Sequence, residues 1–335
     1  MNPLIFFPAL ALLIFRASRS RSLTPLGIAS AILTACAHGI HPWNLPFLLL
    51  ITFYTLGTAA TKVKHDVKAR ITLSSTGAPG GEGARTATQV FANSAVASVL
   101  TLLHAVFMRE ECFWKDVLVV GIIAFVSSPV CMLAWLTAGR NYAAVTADTL
   151  SSELGILSRS RPRLITTLRP CTPGTNGGVS AAGVVAGAAG AAVVGVVSVL
   201  LLPFCRFEWT TREKVWFVGF IAAVGLFGSV LDSVLGALLQ ESVVDVRTGK
   251  VVEAPGGGRV LVTPGPVFTA RGELRSRFGK APQEAAETLA DVGEREGGSR
   301  KVVVGSGLLS NNGVNFVMAA VTSAVAMAAA GWWWI

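Results

Sequence analysis

Apolar runs and polar interruptions alternate along this chain at the spacing of membrane-crossing helices. Crossing a hydrocarbon core takes roughly 20 apolar residues, fewer where the flanks reach the interface. Runs of that kind fall near residues 3–15, 24–38, 45–60, 89–107, 117–138, 179–203, 215–240 and 313–334. The expected fold is therefore all-α: a polytopic membrane helical bundle of about eight transmembrane helices. In the sixth run Gly183, Gly187, Gly190 and Gly195 recur among alanines, which gives a small-residue face for close packing inside the bundle.

Composition supports this pattern. The chain is 52% hydrophobic and only 14% charged, with mean hydropathy +0.60, where a soluble domain carries about 25% charged residues. Eight Trp against two Tyr suit interfacial anchoring, most plainly at Trp332, Trp333 and Trp334. No basic segment precedes the first apolar run, so it reads as a membrane helix rather than a cleaved signal. An Arg- and Ser-rich amphipathic leader is also missing from the sequence, so the expected compartment is the endoplasmic reticulum, not a plastid or mitochondrion.

The net charge of +9 is a topology signal first, and no nucleic-acid partner is expected. Lys and Arg number three in 16–22, five in 61–88, five in 139–178 and ten in 241–303. The alternate loops hold two in 108–116 and three in 204–214. The basic side is read as cytoplasmic, with both termini on the other. Residues 1–240 and 304–335 then form one transmembrane domain. Residues 241–303, with ten basic and nine acidic side chains, read as a flexible cytoplasmic insertion with a short helix near 283–292. Residues 77–83 read as a second flexible tract. Cys36, Cys112, Cys131, Cys171 and Cys205 show no C-x-x-C pair, so free thiols are expected. His38, His41, His65 and His104 are scattered and carry no expected chemistry; His38 and His41 fall on the non-cytoplasmic side.

Candidate chemistry lies where polar residues interrupt the apolar pattern, because ionisable and amide groups at membrane depth are expensive. Residues 146–155 read Thr-Ala-Asp-Thr-Leu-Ser-Ser-Glu-Leu-Gly, and a turn follows at Pro173-Gly174-Thr175-Asn176-Gly177-Gly178. Asp232 sits in an apolar run between Gly228 and Gly236, Asn93 near the start of the fourth run, and Asn311, Asn312 and Asn315 at the start of the eighth. On a helix Asp148 and Ser152 share a face, while Glu153 lies about 140° round from Asp148. Under the derived topology all these positions collect at the cytoplasmic ends of their helices. Acids there can hold a divalent cation, amides and hydroxyls can hold phosphate oxygens, and arginine can grip them bidentately. The turn is not a P-loop, since no Lys-Ser or Lys-Thr follows it.

At these residues the chain resembles the integral membrane family that includes transmembrane protein 19 and the plant phytyl-phosphate kinase. The resemblance rests on 147–155, 173–180, Val90-Phe91-Ala92-Asn93, 228–237 and Asn311-Asn312-Gly313-Val314-Asn315-Phe316, in that combination. It implies a multi-helix membrane protein. For the plant branch it implies phosphoryl transfer from a nucleoside triphosphate, CTP or ATP, to an isoprenyl monophosphate.

On that reading Asp148, Glu153 and Asp232 hold Mg²⁺, and Arg163 with Lys62 or Lys68 neutralises the transferred group. Asn93, Thr175, Asn176, Gly177 and Gly178 position phosphate oxygens, and Asn312 and Asn315 complete the pocket. The isoprenoid lies between helices in the bilayer. The alternative is a transporter or lipid-translocating protein in which Asp148 and Asp232 bind a coupling ion or substrate.

Overall fold

A computed structural model describes residues 1–78, 80, 83–107, 140–202, 209–260, 262 and 300–334. Among them are nine α-helices: α1 (Pro3–Ser20), α2 (Pro25–Gly39), α3 (Leu45–Lys62), α4 (His65–Ile71), α5 (Ala87–Phe107), α6 (Arg140–Gly155), α7 (Ala181–Leu201), α8 (Thr211–Leu239) and α9 (Asn311–Trp334). Among the described residues α1, α3, α7 and α8 are long and apolar enough to cross a membrane, and α2 is apolar but shorter.

Local chemistry sets where these helices begin. Asn2 and Thr24 accept hydrogen bonds from the first turns of α1 and α2, and each is followed by Pro at the first helical position. Ser180 caps α7, and Thr210 with Glu213 forms a capping box on α8.

The centre of the bundle is α6, packed between α7 and α8. Residues 141–147 are all buried. The approach is close because the facing residues are small. A Cβ on Gly187 of α7 would fall 2.9 Å from the Ala147 carbonyl oxygen, and one on Gly228 of α8 would fall 2.5 Å from Ala144 Cβ. Of the small-residue face expected on α7, Gly183, Gly187 and Gly190 meet α6, while Gly195 meets Val218 and Ile221 of α8. Leu45, Leu49, Phe217, Ile221 and Met318 fill the core around this trio of helices.

The helices run between two chemically different ends. At one, His38 Nε2 meets the Tyr142 hydroxyl at 2.6 Å, His41 Nε2 meets His104 Nδ1 at 2.6 Å, and Asn141 donates to Ser323. At the other, α6 ends beside the start of α7, where Ser180 donates to the Gly155 carbonyl. The segment before α9 bonds back to the end of α8 through Leu309 N–H to Leu239 O. We call these the histidine end and the polar end.

Two expectations change. The interval 139–178 was expected to be a loop, but its first part is α6, which crosses the bundle. Sixteen residues span about 24 Å, so Arg140 starts at the histidine end while Arg159, Arg161, Arg163 and Arg169 lie beyond the polar end. The reason is burial by protein: a helix enclosed by α7 and α8 needs no lipid-compatible surface. The expected helix at 117–138 lies outside the described residues, as do Cys112, Cys131, Cys205 and the expected short helix at 283–292.

The edges of the expected flexible insertion are also ordered. β4 (Ser242–Asp245) pairs antiparallel with β5 (Lys250–Glu253) and with β6 (Arg300–Val304), and β1 (Leu73–Ser74) adds parallel to β5. The sheet order is β1-β5-β4-β6. Asp245 Oδ1 accepts from the Arg247 and Thr248 amides to close the β4–β5 turn. A second pair, β2 (Arg163–Leu164) with β3 (Gly178–Val179), closes the loop after α6. The fold is mostly helical, with this small sheet seated on the polar end.

Candidate functional site

A cavity of about 280 Å³ opens at the polar end, lined by α5, α6, α8, α9 and the 173–180 turn. Asp148 and Asp232 each sit seven residues, about 10 Å, in from the C-terminal end of their helix. Both line the cavity, and each feels the other's charge. Ser229 Oγ donates to Asp148 Oδ1 at 3.4 Å. The Asn315 amide lies between Asn93, Asn311 and Asp232. With its nitrogen toward Asp232 it donates to Asp232 Oδ1 at 3.2 Å and to the Asn311 carbonyl at 3.1 Å. That orientation satisfies both of its donors. The two aspartates are therefore held by a hydroxyl and an amide, from α8 and α9.

Glu153 lies apart from this pair. It forms an ion pair with Lys68, whose ammonium also donates to the Ala60 carbonyl at 2.7 Å and to that of Thr61 at 3.3 Å. Lys68 thus ties α4 to the end of α3, a favourable position for a cation beside free helix carbonyls. The three-carboxylate set is not assembled. Among the described residues no group of three or more His, Cys, Asp or Glu side chains lies at metal-holding distance. Glu153 and Lys68 form a wall of the cavity instead.

The turn at 173–178 meets the cavity through its backbone. Gly177 has φ +75°, and a Cβ there would strike Ala237 Cβ at 2.5 Å and the Ser233 carbonyl at 2.6 Å, so only glycine lets the turn lie directly on α8. Thr175 Oγ1 donates to the Thr172 carbonyl, and the Gly178 amide donates to Thr175 O. Asn176 donates from its side chain to Glu241 O and from its backbone to Ser242 Oγ, joining the turn to the start of β4. Asn312 is buried. Its nitrogen donates to the Gly256 carbonyl, and its Oδ1 has no hydrogen-bond partner among the described residues. Asn93 donates to Gln89 O.

Two expected residues fall elsewhere. Arg163 is exposed on β2, where its guanidinium donates to the Leu168 carbonyl at 2.9 Å, and it does not line the cavity. Lys62 is exposed at the end of α3 and does not line it either.

Arg85, read from sequence only as a topology charge, does line it. Its backbone is pinned to the start of α2 by bonds with Ser22 and Thr24. Its guanidinium passes over Gly57, where a Cβ would sit 3.2 Å from Nη2 and 3.5 Å from Thr149 Cγ2. Gln89 also lines the cavity and accepts from the Thr86 amide.

A second cavity of about 80 Å³ lies among α1, α2, α3 and α5, and it is almost wholly apolar. It shares Arg85, Gln89 and Asn93 with the first.

Comparison with known proteins identifies the family. The chain matches the integral membrane protein family DUF92 over residues 8–323. It belongs to the DUF92 family. It is similar to Protein PGR of Arabidopsis thaliana, 34% identical over 251 residues, which is 73% of this chain and 82% of that protein. It is also similar to an uncharacterized membrane protein of Methanocaldococcus jannaschii, 36% identical over 138 residues, covering 40% and 54% of the two chains. No solved structure matches it. The family expected from the motifs is the family found, and this DUF92 chain is integral to the membrane. Its motif segments, scattered from Asn93 to Asn315, meet around one cavity.

Proposed function

We propose that this DUF92 protein is a phosphotransferase of the lipid-kinase kind. It would move a phosphoryl group from a nucleoside triphosphate to an isoprenyl or isoprenyl-phosphate acceptor at the polar end. One observation carries the reading: two aspartates from different helices converge two turns deep on a cavity that also collects a glycine turn and the asparagines Asn93, Asn311, Asn312 and Asn315. Acids placed there in an otherwise apolar bundle need a purpose.

The donor set suits a hard cation bound by one or two carboxylates, with water and substrate phosphates completing the shell. Asp148 and Asp232 would hold Mg²⁺, and Mg²⁺ would neutralise charge on the nucleotide phosphates. Ser229 and Asn315 fix the carboxylates that do so. Gly177 and the α7 N-terminus offer backbone N–H groups to phosphate oxygens. Transfer of this kind is mostly positioning and electrostatics, so no nucleophile triad is required.

The polar end is taken to face the cytoplasm, because the imbalance of Lys and Arg survives the move of Arg140 to the histidine end. Eight helices, α4 excluded, would then traverse the bilayer, in the endoplasmic reticulum.

The test is purified protein with Mg²⁺, labelled CTP or ATP, and a panel of isoprenyl alcohols and monophosphates. Label transfer is expected, and Asp148→Asn and Asp232→Asn are each expected to lower it at least ~100-fold at unchanged membrane abundance. A folded protein that labels no acceptor overturns the reading. Normal turnover in either variant overturns the metal assignment.

A further inference from the structure

The structure assigns the second cavity to the tail of a single-chain anionic lipid and Arg85 to its phosphate head group. This deepens the phosphotransferase reading by placing one substrate, and it rests on that reading only for what happens to the head group afterwards.

The apolar cavity runs along α1 and α2. Leu10, Leu13, Ile14 and Ala17 line it at helical spacing from one side, Ile28 and Ala31 from the other, over about 10 Å. At about 80 Å³ it is too narrow for two chains side by side. It meets the polar cavity: Arg85, Gln89 and Asn93 belong to its lining and to that of the polar cavity. A molecule filling both spaces has an apolar chain and a polar head, with the junction at these three residues.

The charge of that head follows from Arg85. Among the described residues no carboxylate or carbonyl accepts from its guanidinium, although Asp148, Glu153 and Asp232 line the same cavity. Glu153 is already paired with Lys68. The fold nonetheless makes room for this side chain. Gly57 leaves space under the guanidinium. Gly27 lets α2 pass over the Arg85 backbone, where a Cβ would meet the Arg85 carbonyl at 2.5 Å. A partly buried guanidinium without a protein anion is a fork suited to two phosphate oxygens.

The experiment measures binding alone, without nucleotide or Mg²⁺. Purified full-length protein in detergent is titrated with geranylgeranyl monophosphate and with geranylgeraniol, using intrinsic tryptophan fluorescence. Wild type is expected to bind the monophosphate at least tenfold more tightly than the alcohol. Arg85→Ala is expected to remove that preference while keeping the alcohol affinity, and Arg85→Lys to keep part of it. Ala31→Trp, which fills the crevice, is expected to weaken both ligands at least tenfold.

Phosphatidic acid and inorganic phosphate serve as competitors, and neither is expected to displace the monophosphate at equal concentration. The assignment is overturned if wild type shows no preference, if Arg85→Ala or a folded Arg85→Lys retains all of it, or if Ala31→Trp binds normally. Displacement by inorganic phosphate would also overturn it, as would displacement by the two-chain lipid. Failure of the kinase reading looks different: the preference and its loss in Arg85→Ala persist while no label is transferred.

Discussion

At the scale of single residues, the polar end is organised by which charges are already partnered. Lys68 and Glu153 are both nearly enclosed, with side chains 9% and 14% exposed. Removing one partner leaves the other charge stranded, at a cost of about 3–5 kcal/mol. Lys68→Met should therefore lower the melting temperature in detergent sharply. Lys68→Met combined with Glu153→Leu should recover most of that loss, read by thermal unfolding of both variants.

His41, in the loop between α2 and α3, gives a second prediction. Burial holds its pKa down from the usual 6.5 to about 4, outweighing the Trp43 backbone hydrogen bond that raises it and reinforced by the positive amino terminus. The unfolded chain takes up a proton near pH 6.5 that the folded chain refuses, so His41 contributes stability above pH 6.5 that is lost as pH falls through about 4. The melting temperature should decline over that window, and His41→Gln should flatten the decline. Asp148 and Asp232 were legible as acids in apolar runs. The pairing of Glu153 with a lysine 85 residues away was not, and neither was a guanidinium on Arg85 that no acceptor among the described residues engages. Both are tertiary facts with no local pattern.

At the scale of elements, glycine decides how near the helices come. Gly187→Val would push a side chain against the α6 backbone, an overpacking that costs about 1–3 kcal/mol. Gly219 on α8 has nothing among the described residues within 4 Å of an added Cβ, so Gly219→Val should be close to neutral. Thermal unfolding of the two variants side by side checks the difference. The apolar runs announced α3, α7 and α8 because those helices present side chains to lipid, and hydropathy measures that exposure. α6 gave no such signal: its residues Asn141, Thr146, Asp148 and Ser152 are polar, and its smallest residues meet protein. The sheet escaped notice for another reason. Its strands have at most five residues, and both β1 and β6 lie far in sequence from the β4–β5 hairpin that they join.

At the scale of the whole molecule, the two ends can be assigned to opposite sides of the membrane by labelling. In a cysteine-free background, Arg159→Cys lies beyond the polar end and Arg212→Cys in the first turn of α8 at the histidine end, and both positions are exposed. A membrane-impermeant maleimide added to sealed vesicles should label one and not the other until the vesicles are opened. Labelling of both in sealed vesicles would contradict a bundle whose helices cross the bilayer. The central position of α6 also bears on how the protein is made. A segment carrying Arg140, Asp148 and Glu153 enters lipid unaided only against a cost of about 2.5–3.5 kcal/mol for each charge near the bilayer centre. α6 should therefore fail to integrate when synthesis stops at residue 178, and should integrate once α7 and α8 have followed it out of the ribosome. The heart of the bundle would be the part of the chain that must wait for its neighbours.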